Sequence, residues 1–124
     1  MRIREARPGD SRGIAIVQLD SWRANFAGIL PDQYLAQFTY DDREADWNEL
    51  LADPGDRVVY VAEDDGGKIA GFVCAGPEGS ENPTYPSEIY AIHINRSYHR
   101  QGIGRRLIAV AARRLREQGY PALL

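Results

Sequence analysis

Residues 88–119 constrain this chain more than any other stretch. They read E-I-Y-A-I-H-I-N-R-S-Y-H-R-Q-G-I-G-R-R-L-I-A-V-A-A-R-R-L-R-E-Q-G. An apolar strand leads through a short polar loop and a glycine-bearing turn into a basic helix. The turn His99-Arg100-Gln101-Gly102-Ile103-Gly104 presents a row of backbone N–H groups at a helix start, the arrangement that holds a phosphate or pyrophosphate. Arg100, Arg105 and Arg106 add positive charge there. Gly102 lets the backbone approach a phosphate, because no Cβ intervenes. Gly104 either does the same or lets the helix pack tightly on a strand. A blander reading also stands, in which both glycines merely end a loop. Residues 89–94 are apolar on both faces, which predicts a strand deep in a sheet.

Other phosphate and metal motifs do not fit. There is no G-x-x-x-x-G-K-[ST] run, and Leu107 stands where a dinucleotide fingerprint needs its third glycine. Cys74, His93 and His99 lack zinc-ligand spacing. Residues 98–119 carry six arginines against one acid, Glu117, within a chain whose net charge is −3. One basic helix on an acidic domain suits a compact polyanionic cofactor better than a nucleic acid. Arg113, Arg114 and Arg116, further along the helix, read as a solvated face.

At 124 residues the chain supports one domain, residues 1–124. With 44% apolar and 27% charged residues it is a globular mixture. No apolar run reaches membrane-spanning length, and no signal core follows Met1. A lone cysteine forms no internal disulfide and permits a reducing, cytoplasmic setting; Cys74 reads as a buried small hydrophobe.

The remaining segments predict mixed α/β structure. A short strand covers residues 3–6, and Asp10 is expected to cap a helix over residues 11–25 with Ile14, Val17, Leu19 and Trp22 on its apolar side. Pro31 opens a second helix carrying Tyr34, Leu35 and Phe38, and residues 42–51 form a third. Residues 57–63 and 68–76 read as a hairpin around Asp64-Asp65-Gly66-Gly67. Residues 77–87 read as a proline-bearing loop. In the last helix, residues 102–118, Ile103, Leu107, Val110, Ala111 and Leu115 make a stripe that packs on the sheet.

The strand from Glu88 to Ile94 followed by Arg100-Gln101-Gly102-Ile103-Gly104 resembles the acetyl-coenzyme A site of the GCN5-related N-acetyltransferase (GNAT) superfamily. That signature is Gln or Arg, two free positions, Gly, one free position, then Gly or Ala. Here it falls on residues 99–104, with His99 departing at the first position. Residues 21–31 and 32–51 resemble the first-helix bend and following helices of one bacterial branch. The resemblance implies a twisted, largely antiparallel sheet with flanking helices. It also implies a domain incomplete at its C-terminus, because the family continues with a further strand, a helix carrying an N-x-x-A-x-x-F-Y-like segment and two last strands. An open sheet edge would then favour homodimers, with strands exchanged between subunits.

The implied activity is transfer of an acetyl group from acetyl-CoA to an amine, a small molecule or peptide, within a ternary complex that needs no protein nucleophile. The alternative is a non-catalytic acyl-CoA-binding or regulatory module. By resemblance, Glu88 is the general base. The strand around Ile92, His93 and Ile94 binds the pantetheine arm, and His99, Arg100, Gln101, Gly102, Ile103, Gly104 and Arg105 bind the phosphates. Tyr34, Trp47 and Tyr90 are expected to line the acceptor pocket, and no general acid is assigned. Asp41, Asp42, Glu44, Asp46 and Glu49 read as a solvated helix face.

Overall fold

The computed structural model describes residues 1–77 and 87–120. Strand β1 (Arg2–Glu5) leads through a 3-10 turn (Pro8–Asp10) into helix α1 (Ser11–Phe26), then α2 (Asp32–Leu35) and α3 (Tyr40–Ala52). Strands β2 (Val58–Glu63), β3 (Ile69–Pro77) and β4 (Ser87–Ile94) follow, then a 3-10 turn (Arg96–Tyr98) and helix α4 (Ile103–Glu117). The loop expected over residues 77–87 falls largely outside the described residues. The strands form one antiparallel sheet in the order β1-β2-β3-β4.

The alternation of side chains along the strands divides the core into two layers. Val59, Val61, Phe72 and Cys74 meet Ile14, Ala15, Val17 and Trp47 of α1 and α3. Val58, Ala62, Val73 and Ala75 meet Ile103, Leu107, Ala111 and Leu115 of α4. The stripe expected on α4 is therefore buried, except that Val110 lies at its margin. Cys74 is buried, and its loss of water pushes the thiol up to about 11, which leaves it inert at neutral pH.

Several local expectations are corrected. β3 is the fully buried strand, whereas β4 is only half-buried. β3 has a partner on each side, while β4 pairs only with β3 among the described residues. Asp10 does not cap α1 through its side chain. Its carboxylate instead accepts from Nη1 and Nη2 of Arg4 at 2.8 and 2.9 Å and from the Arg7 N–H, and Arg4 also pairs with Glu63 of β2. A half-buried guanidinium between two carboxylates outcompetes one helix-end N–H for that oxygen. The second helix is a single turn that ends before Phe38. The third begins two residues earlier than expected, with Thr39 Oγ1 accepting from the Asp42 N–H as its cap.

Candidate active site

The end of β4 is tied down before the glycine turn begins. The Asn95 N–H donates to the Ala70 carbonyl at 2.8 Å, and Asn95 Oδ1 accepts from the Ser97 N–H. The Tyr98 hydroxyl donates to Asp64 Oδ2 at 2.6 Å. Asp64 also accepts from the Gly66 and Lys68 N–H groups, so one carboxylate organises the β2–β3 turn and anchors the loop. These bonds hold the Asp64 carboxyl below its usual range. His99 Nε2 donates to the Ile94 carbonyl at 2.9 Å, closing the loop on itself. The residue that departs from the signature thus has a positioning contact.

Two left-handed residues shape the turn: Arg100 at φ 67° and Gly102 at φ 73°. Such a conformation is ordinary for glycine and strained for arginine. The first N–H groups of α4 have no intrahelical partner, and they start where Gly102 turns the chain. No atom lies within 4 Å of where a Gly102 Cβ would stand. Gly104 differs, since an added Cβ would lie 3.1 Å from Ile94 Cδ1. Gly102 supplies the turn and an open approach, while Gly104 lets α4 seat on β4. Arg100 and Arg105 are exposed beside the turn, as is Gln101.

A cavity of about 440 Å³ runs from this loop between α1 and β4, lined by Asp20, Ser21, Ala24 and Asn25 on one wall. Ile92, His93, Ile94 and His99 are among the residues on the other. A second cavity, of about 190 Å³, is lined by Gln18, Leu19, Trp22, Phe38, Arg43 and His93. His93 lines both. Its ring packs on Phe72 with centroids 5.6 Å apart, and burial lowers its pKa below the usual 6.5. It is therefore neutral at pH 7 and able to accept a proton.

The other expected site residues are less convergent. A register shift between Cys74 and Ala75 separates the Phe72–His93 pair from the Gly76–Glu88 pair and so brings Glu88 to the sheet face of His93, yet Glu88 lines neither cavity. Tyr34 is exposed and packs edge-on against Phe38, beside the second cavity rather than in its wall. Tyr90 is exposed, with its hydroxyl donating to the Pro77 carbonyl. Trp47 is a correction: it is buried against Phe72, and Nε1 donates to Gln18 Oε1 at 2.8 Å, so it supports the cavity wall from behind. Gln18, Asp20 and Arg43 were not foreseen. Their place depends on the packing of α1 against α3 and β4, which no local motif encodes.

Residues 19–124 match the Acetyltransferase (GNAT) family. The chain is 36% identical over 121 residues to YuaI of Bacillus subtilis (strain 168), described as an uncharacterized N-acetyltransferase, across 98% of this chain and 68% of YuaI. The chain belongs to the GNAT family. Its fold is similar to that of the PaiA N-acetyltransferase of Thermoplasma acidophilum, solved in complex with coenzyme A. The TM-score is 0.78 at 18% identity, over 96% of this chain and 74% of that one. A GCN5-related N-acetyltransferase of Ralstonia eutropha JMP134 is similar with a TM-score of 0.75 at 19% identity, over 99% of this chain and 80% of that one. Among the described residues no helix is long and apolar enough to cross a membrane.

Proposed function

We propose that this chain is an acetyl-CoA-dependent N-acetyltransferase that moves the acetyl group directly to an amine. The observation that carries this is a cavity along β4 that His99, the first residue of the glycine turn, lines together with His93, which also lines a second cavity. The residues fit the cofactor: unpartnered helix N–H groups and the open approach at Gly102 suit phosphates, with Arg100 and Arg105 as counter-charges. Ile92, His93 and Ile94 would hold the pantetheine arm, which supports a cofactor running from the turn toward His93. Acetyl-CoA would supply a thioester, whose C–S bond breaks as the amine's C–N bond forms, with the amine losing one proton and the sulfur gaining one.

The amine must be neutral to attack, so the site must take its proton. We propose Glu88 as the general base, acting through water because it lines neither cavity. A second reading gives the proton directly to His93, and the place of that residue in the lining of both cavities favours it. In either case the neighbouring β4 backbone orients the reacting carbonyl, and the α1 wall limits access of water.

Rate–pH profiles of Glu88→Gln and His93→Gln with acetyl-CoA and an amine panel distinguish these routes. Loss of turnover in the first alone supports the water-relayed route, and loss of the acid limb in the second supports His93. Tight coenzyme A binding without turnover on any amine would favour the non-catalytic module instead.

A further inference from the structure

The second cavity has a chemical signature that names a ligand class. Trp22 and Phe38 give it aromatic walls, with centroids 4.7 Å apart in an edge-on arrangement, and Leu19 adds an apolar surface. Arg43 brings the one charged group of its lining. Arg43 Nη2 pairs with Asp46 at 2.9 Å, but Nε is buried with no hydrogen-bond partner. A buried donor without an acceptor is costly, and a guanidinium matches a carboxylate in particular. His93 lines both this cavity and the one along β4.

We propose that this cavity is the acceptor subsite, and that it takes a small α-amino acid with an apolar or aromatic side chain. This rests on the acetyl-transfer reading given above. The carboxylate meets the Arg43 guanidinium, the side chain lies against Trp22 and Phe38, and the amine points toward His93. A volume of about 190 Å³ suits a small acceptor. A polyamine offers no acceptor for Arg43 and adds like charge beside it.

The test uses matched amines that differ only in the carboxylate: L-phenylalanine with 2-phenylethylamine, and L-leucine with 3-methylbutylamine. Binding is measured calorimetrically with and without coenzyme A, and turnover with acetyl-CoA. Wild type should favour each amino acid by about 10- to 100-fold, the worth of a hydrogen bond to a charged group. In Arg43→Met that ratio should fall to within a few-fold of unity, and amine basicity cancels because the same pairs are compared. Thermal unfolding should change little, since the variant removes an unsatisfied donor and an exposed ion pair.

Equal or better use of the decarboxylated amines by wild type overturns the proposal without any variant. So does a preference that survives Arg43→Met. Carboxylate-dependent binding with no turnover would uphold the subsite and sink the acetyl-transfer reading. Turnover with no carboxylate preference would do the reverse, and neither binding nor turnover on these pairs would overturn the subsite.

Discussion

Gly102 offers a way to separate the fold from ligand binding at one atom. Its φ of 73° is left-handed, and no neighbour lies within 4 Å of an added Cβ. Substitution therefore meets no collision inside the protein, and the cost is conformational. A left-handed non-glycine residue costs about 1–2 kcal/mol. For a domain of this size that lowers Tm by about 3–12 °C in Gly102→Ala, taking about 3–6 °C per kcal/mol. Gly102→Asn should lose less, because asparagine tolerates this region. Valine is a poorer probe, since a β-branched residue is strained most there.

Both variants place a Cβ in the open space a phosphate needs. Losing one charge-assisted contact should weaken coenzyme A binding by about 10- to 100-fold in each. Calorimetric titration at 25 °C, where both variants remain folded, reads the affinity, and thermal unfolding reads the strain. Asparagine is the decisive case, combining a small stability loss with a large affinity loss. If wild type, Gly102→Ala and Gly102→Asn bind coenzyme A equally, the phosphates do not approach this turn. If Gly102→Ala leaves Tm unchanged, the left-handed conformation itself is wrong.

Leu107 is fully buried between α4 and the sheet, so Leu107→Ala should cost about 2–5 kcal/mol in denaturant unfolding and weaken cofactor binding indirectly. His93→Gln should remove an acid limb from the kcat/KM profile that lies below pH 6.5, because burial lowers the pKa of His93 and the neutral ring is the competent form; an unchanged limb excludes it as the titrating base. Asp10 is held below its usual 3.8 chiefly by its hydrogen bonds from Arg4, so its stabilisation is present above that pH and is lost as pH falls through the lower folded value. Asp10→Asn should accordingly be less stable at neutral pH and show a shallower fall of Tm below about pH 4 than wild type, as followed by circular dichroism.

The glycine turn and its helix were legible because their signal is local. The stripe from Ile103 to Leu115 follows helical period, and one of the turn's two left-handed residues is a glycine, while the other, Arg100, carries no such signal. Elements set by distant partners were harder to read. Asp10 looked like a cap because it precedes Ser11, but its carboxylate is taken by Arg4 of β1, which Glu63 of β2 also holds. Trp47 looked free to line a pocket until Phe72 and Gln18 closed around it. Arg43 was not singled out among the acids of its polar helix, and no local pattern marks its Nε as buried.

The alternation along β4 explains how one strand serves both ends of the site. Ile92 and Ile94 pack toward α4, while His93 lies against Phe72 on the opposite face. Ile94 Cδ1 would be only 3.1 Å from a Cβ at Gly104, and the Ile94 carbonyl accepts from His99. The strand that presents His93 is thus seated on the helix that follows the glycine turn. A displacement of the turn must move Ile94, and Ile94 adjoins His93 in an extended chain with little slack. Phosphate binding at Gly102 would therefore fix the register of the reacting end without any contact between the two, which is the orientation that direct transfer between two substrates demands.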